Sequence, residues 1–205
     1  MPITDFLEQN SRLYPNDRAL TEITPQNQPD KATTWREYNL IETAEGAEYR
    51  REITWRQFDT YANRFANLLF TRGVKKGDKV AILMMNGLEW LPIYFGILKT
   101  GALAVPLNFR YSSDEIEYCV NLAEVDILVF GNEFIGRVEE IADRISKGRL
   151  LIYVGEGCPA FAEDYNSLSA NCSSQSPAIE LNDDDDAAIY FSSGTTGFPK
   201  AILHK

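Results

Sequence analysis

The residues best suited to chemistry form one run near the C-terminus, Ser192-Ser193-Gly194-Thr195-Thr196-Gly197-Phe198-Pro199-Lys200. It holds four hydroxyls, two glycines and a lysine, directly after a short apolar stretch. Glycine lets a backbone approach an oxyanion closely, and successive N–H groups can form an anion-binding nest. The hydroxyls add donors and the lysine adds charge. Such a set suits a polyphosphate. The run is not the G-x-x-x-x-G-K-[ST] loop, because its lysine follows Gly-Phe-Pro and precedes Ala201. Composition by itself leaves a plain polar loop equally open.

Other chemistries are poorly supplied. His204 is the single histidine, so neither a Cys/His zinc site of ordinary spacing nor an H-E-x-x-H site can be built. A Ser-His-Asp triad would have to use that residue, one place from Lys205. Cys119, Cys158 and Cys172 form no C-x-x-C pair and read as reduced thiols of a cytoplasmic protein. Asp183 to Asp186 cannot all converge from a strand, whose alternate side chains face opposite ways, so they read as a solvated turn and no metal site is expected.

The net charge of −10 argues against nucleic acid as a partner. Eight acids and no Lys or Arg lie between Leu151 and Pro199, which leaves 22 acids against 20 bases elsewhere. The acidity is local. No apolar run approaches the roughly 20 residues of a membrane span, and the opening Met1-Pro2-Ile3-Thr4-Asp5 lacks the features of a secretory signal.

The elements that must position the loop follow from periodicity. A first helix, capped by Thr4, is expected to Leu13, and a strand over Ala19–Ile23. Two further strands, Thr33–Ile41 and Tyr49–Ile53, would make 25–52 a surface hairpin turning at Glu45-Gly46. Thr54-Trp55-Arg56-Gln57 is a capping box. The helix it opens carries Phe58, Tyr61, Ala62, Phe65, Leu68 and Leu69 as one stripe and ends at Gly73.

Beyond it, strands at Lys79–Met84, Ala102–Leu107, Ile127–Phe130 and Leu150–Val154 alternate with helices at Gly87–Thr100, from Ser112, and at Asn132–Ser146. In the first of these helices Trp90, Leu91, Tyr94, Phe95 and Leu98 are expected inward, as core. Ser112 to Glu115 forms a second capping box, with Ile116, Cys119, Val120 and Ala123 inward behind it. An acidic connector over 155–186 then leads to a strand at Ala187–Phe191. The order implies an α/β fold with a mainly parallel sheet and covering helices.

Tyr190 to Lys200 resembles the phosphate-loop signature of the adenylate-forming (AMP-binding) superfamily, which includes acyl-CoA synthetases, peptide-synthetase adenylation domains and luciferases. Leu98-Lys99-Thr100-Gly101-Ala102-Leu103-Ala104-Val105-Pro106-Leu107 resembles a second family motif. A third resemblance joins Ile53-Thr54-Trp55-Arg56-Gln57-Phe58, the helix to Gly73 and Gly77-Asp78-Lys79-Val80-Ala81. The motifs stand in family order. The resemblance implies that residues 1–205 are the N-terminal portion of the large N-terminal domain of such an enzyme, the rest of that domain and the C-terminal domain lying outside this chain.

It further implies activation of a carboxylic acid, a fatty or other hydrophobic one, by ATP with Mg²⁺ to an acyl-adenylate, followed by transfer to coenzyme A. By matched position Ser192, Ser193, Gly194, Thr195, Thr196, Gly197 and Lys200 would bind phosphate. The family's adenine- and ribose-binding motifs, Mg²⁺-binding carboxylate and C-terminal lysine all follow this loop. No catalytic residue is therefore expected within the chain, and the 205-residue piece is expected to be inactive alone.

Two features depart from the family pattern. Ala201 stands where glycine is usual, and 25–52 is longer than usual. His204 lies just before the place of a histidine that shapes the acyl site in many members, and reads as a bystander. A non-catalytic nucleotide- or partner-binding fragment and a peptide-synthetase adenylation domain are the alternatives. Homo-oligomerisation is left open.

Overall fold

The computed structural model describes residues 2–23, 50–145, 149–192 and 199–205. Helix α1 (Ile3–Leu13) has Pro2 at its N-cap position, two residues before the expected Thr4, so Thr4 lies inside the helix and is buried instead of capping it. Strand β1 (Arg18–Ile23) pairs antiparallel with β2 (Arg50–Thr54). Arg18–Glu52 at 2.9 Å and Arg51–Glu22 at 2.7 Å bridge the two strands. Of the expected 25–52 hairpin, only residues 50–52 are described, and they belong to β2.

Helix α2 (Trp55–Thr71) opens on the expected capping box. Gln57 N donates to Thr54 Oγ1 at 3.3 Å, and Thr54 N donates to Gln57 Oε1 at 2.8 Å. The sheet elements then follow: β3 (Lys79–Leu83), α3 (Trp90–Leu98), β4 (Leu103–Pro106), α4 (Ser113–Leu122) and β5 (Ile127–Gly131). The capping box of α4 is present, with Ser112 and Glu115 satisfying each other's backbone N–H groups. A single 3₁₀ turn at Asn132–Phe134 precedes α5 (Ile135–Ile145), and β6 (Leu150–Val154) completes the alternation. Last come β7 (Glu163–Asp164), α6 (Tyr165–Ser169), β8 (Ala188–Ser192) and β9 (Lys200–His204).

The seven-stranded sheet runs in the order β7-β6-β5-β3-β4-β8-β9, and every pairing is parallel except β8 with β9. Alternation along the strands divides the core. Ala81, Leu83, Leu128, Phe130, Leu151 and Tyr153 face Ile116, Cys119, Val120, Val138, Ile141 and Ile145 of α4 and α5. Val80, Ile82, Ala104, Ile127, Val129 and Ile152 face Phe65, Leu68, Leu69, Ile93 and Ile97 of α2 and α3. Each of the Val, Leu, Ile and Phe side chains among these, fully buried, contributes about 1.5–3 kcal/mol. No helix among the described residues is long and apolar enough to cross a membrane.

Helix α3 turns differently from the expectation. Its buried residues are Pro92, Ile93, Gly96, Ile97 and Leu98, whereas Trp90, Leu91, Tyr94 and Phe95 are half-buried. The helix is apolar on nearly every side, so periodicity could not select the face that meets the sheet. Close packing against α2 decides it, because Gly96 sits where a Cβ would lie 2.8 Å from Ala62 O and 3.0 Å from Phe65.

Lys99 caps this helix and is 2% exposed. Its ammonium meets Glu8 of α1 at 2.7 Å and Asp59 of α2 at 3.1 Å, and the Ser176 hydroxyl donates to Glu8 at 2.5 Å. A buried ion is costly unless it is paired in this way. Residues 155–186 are held along this side by further contacts. Asn63 Nδ2 donates to Ser174 O at 3.1 Å, and Asn67 Nδ2 donates to Ser173 O and Gln175 O at 2.9 Å each. Arg72 pairs with Glu163, and Lys76 with Asp185 at 2.5 Å.

Two stability measurements test this packing. Gly96→Ala should cost about 1–3 kcal/mol through overpacking, whereas Gly136→Ala, whose added Cβ meets nothing within 4 Å, should gain roughly 0.5 kcal/mol; urea unfolding reads both. Burial raises the Glu8 carboxyl, but the hydrogen bonds from Lys99 and Ser176 and the charges of Lys99 and Arg12 carry it below its ordinary 4.5. A lowered folded value gives stability that is complete above the unfolded value and lost as pH falls through the folded one. The stability gap between wild type and Glu8→Gln should therefore be widest above pH 4.5 and shrink on acidification.

Candidate functional site

Strand β8 is inserted beside β4 with Ala104 opposite Ala188, and Ala104 N donates to Ala187 O at 3.0 Å. Its side chains alternate. Ile189 and Phe191 pack toward the α4/α5 face, while Tyr190 turns to the other. There its hydroxyl lies 2.9 Å from that of Tyr94. Trp90 stacks on Tyr94 with ring centres 5.4 Å apart, and His204 meets Tyr190 edge-on at 5.0 Å. Burial and the Tyr190 hydrogen bond push the Tyr94 phenol well above its ordinary range. It stays protonated and serves as a strut between α3 and β8.

Strand β9 returns antiparallel, with Ser192 opposite Lys200 as the last pair. Ser192 and Lys200 are thus the strand ends that flank the candidate phosphate loop in sequence. Ser192 is half-buried, Lys200 is exposed, and Pro199 beside it is buried. Ser193, Gly194, Thr195, Thr196 and Gly197 lie outside the described residues. Continuing the strand registers places Met84, Asn108, Gly131, Val154, Ser192 and Lys200 in one row along the sheet. This row is the C-terminal edge of the parallel strands, where open α/β sheets bind ligands.

The strand after the loop has no counterpart among the elements expected from periodicity. Lys200-Ala-Ile-Leu-His is too short for its period to declare itself, and its partner is β8, across the turn. The Tyr94–Tyr190 contact likewise joins residues 96 positions apart, which no local pattern reveals.

His204 lies in β9, and its backbone oxygen accepts from Ala187 N at 2.8 Å. Asp183 to Asp185 form a turn in which Asp185 accepts from Asn182 N at 2.8 Å and pairs with Lys76. Among the described residues no three His, Cys, Asp or Glu side chains gather to hold a metal.

A family described as AMP-binding enzyme matches residues 8–205. A long-chain-fatty-acid–CoA ligase, FadD13, of Mycobacterium tuberculosis is 33% identical over 153 residues, which are 74% of this chain and 29% of the relative. A 3-hydroxybenzoate–CoA/4-hydroxybenzoate–CoA ligase of Thauera aromatica is 33% identical over 159 residues, 75% of this chain and 30% of the relative. Among solved structures, the anthranilate CoA ligase AuaEII in complex with anthranoyl-AMP superposes with a TM-score of 0.81 at 28% identity, covering 100% of this chain and 35% of that one. The chain therefore spans about a third or less of the length of these proteins.

The thiols allow a direct check on the described core. Burial, then the nearby Glu115 charge, pushes the Cys119 thiol up to about 12, so it is neither accessible nor nucleophilic. A maleimide or disulfide reagent at pH 8 should modify no more than Cys158 and Cys172, which are half-buried, until urea releases Cys119.

Proposed function

This chain belongs to the AMP-binding enzyme family, and on that premise we propose that the intact protein activates a carboxylic acid with ATP and passes the acyl group to coenzyme A. A carboxylate is a poor electrophile. In the first step its oxygen attacks the α-phosphorus of ATP, the bond from that phosphorus to the bridging oxygen breaks, and pyrophosphate leaves. The resulting acyl-adenylate carries AMP as a good leaving group, which the thiol of coenzyme A displaces.

The observation that supports this reading is the Ser192–Lys200 pair at the C-terminal edge of the parallel strands, the two residues between which the Ser/Gly/Thr run lies in sequence. Ser192, Ser193, Thr195 and Thr196 would donate hydroxyl hydrogen bonds to the departing phosphates, Gly194 and Gly197 would permit close approach, and Lys200 would add charge. Catalysis at such a loop is positioning together with electrostatic stabilisation. ATP would arrive as its Mg²⁺ complex, the cation offsetting phosphate charge. The acid is a hydrophobic one, fatty acids foremost; relatives named for a long-chain fatty acid and for hydroxybenzoate support an apolar acyl or aryl class.

Acid-dependent exchange of labelled pyrophosphate into ATP tests the reading. The full-length protein should catalyse it, and this 205-residue chain alone should not. Thr195→Ala and Lys200→Ala in the full-length protein should each lower the rate by about 10-fold or more. Full exchange by both variants overturns the assignment of the loop.

A further inference from the structure

Strand β8 loses its backbone hold on β4 as it approaches the candidate phosphate loop. Among the described residues, Ala104 opposite Ala188 is the single register pair between the two strands, and Ala104 N donates to Ala187 O at 3.0 Å. Along a parallel strand, the next donor facing the same neighbour stands two residues on. Here that residue is Pro106, which has no N–H. The alternate residues Leu103 and Leu107 donate the other way, to Asp78 O at 2.7 Å and to Ile82 O at 2.9 Å. On the far edge of β8, β9 pairs with β8 alone and is exposed at all five positions among the described residues. It rides on β8 and does not anchor it.

Side chains hold this end of the strand instead. On one face Ile189 and Phe191 pack toward the α4/α5 cluster, and on the other the Tyr190 and Tyr94 hydroxyls meet at 2.9 Å. Apolar packing is non-directional and lets a strand end slide, whereas a hydrogen bond fixes one distance. Tyr94 is a firm base for that bond. Its ring stacks on Trp90, one helical turn back, with centres 5.4 Å apart, and meets Phe95 edge-on at 6.2 Å. Helix α3 is itself locked against α2 by the close approach at Gly96, two residues along. Tyr190 stands two residues before Ser192, the last residue of β8.

We propose that Tyr94 is a positioning residue for the phosphate loop. Its hydroxyl, acting through Tyr190, replaces the ladder bond that Pro106 cannot supply and sets where Ser192 and the residues after it meet the nucleotide. The proposal rests on the functional reading above. Either hydroxyl can be the donor, so loss of either one breaks the same link. The effect falls on the nucleotide, because the strand end that the pair steadies leads into the phosphate-binding run.

Acid-dependent pyrophosphate exchange by the full-length protein tests it, on wild type, Tyr94→Phe, Tyr190→Phe and the double variant. Each phenylalanine keeps the ring and removes one hydroxyl. Each single variant should raise the KM for MgATP by about 3- to 10-fold, the loss expected of one neutral hydrogen bond, and leave the KM for the acid within about 2-fold. The double variant should be no worse than the poorer single one, because either substitution removes the whole link. A wild-type KM for MgATP in the single variants overturns the proposal, even where their melting temperature falls, since that pattern marks a merely structural contact. Losses that multiply in the double variant overturn it too, as does an equal rise in the KM for the acid. A wild type that exchanges nothing overturns the functional reading and this inference with it, whereas the other outcomes bear on Tyr94 alone.

Discussion

The candidate site depends on one strand pairing, β8 lying parallel against β4. Strands β3 to β6 are linked by short crossovers and find their neighbours through local helices. Strand β8 arrives only after residues 155–186 have travelled back across the sheet, from beyond β6 to the far side of β4. Contacts distant in sequence carry a loop-closure cost before they return any stabilisation. What fixes the path of this segment therefore fixes where the loop emerges.

That path is secured from the helical side. The amides of Asn63 and Asn67 grip three successive carbonyls at Ser173, Ser174 and Gln175, and Glu8 joins Ser176 to the buried Lys99. Tyr165 and Leu168 add an apolar anchor against the α2/α3 cluster. At its end, Lys76 holds the turn that follows Asn182 through the Asp185 carboxylate, and Tyr94 braces β8 itself. The acidic stretch is thus a docked strap in which Glu163 and Asp185 have specific partners, a tighter arrangement than the solvated linker its composition suggests.

Much of the architecture was legible because it is local. Capping boxes at Thr54 and Ser112 announce their helices within four residues, and buried strands such as Ile127–Gly131 stand out as apolar runs. The start of α1 differs from the expectation because Thr4 is buried inside the helix, whose N-cap position falls two residues earlier on Pro2 without any side-chain cap. The orientation of α3 was hidden by its uniform apolarity, and β7, α6 and β9 were missed because they are short and take their stability from distant partners. For the site, the residue types of the loop were readable, but the pairing of the flanking strand ends Ser192 and Lys200 was not. Nor was the tyrosine strut, since it joins elements far apart in sequence.

Strand β9 has one further consequence. Among the described residues it forms the rim of the sheet, and it exposes Ile202 and Leu203, 46% and 54% accessible, to opposite sides. A rim strand that is apolar on both faces is a template for pairing with another chain. Lys200 and Lys205 at its two ends supply the only charges that oppose such contact along it. In any form of the protein that leaves β9 uncovered, colloidal behaviour will depend on this strand as well as on the net charge of −10.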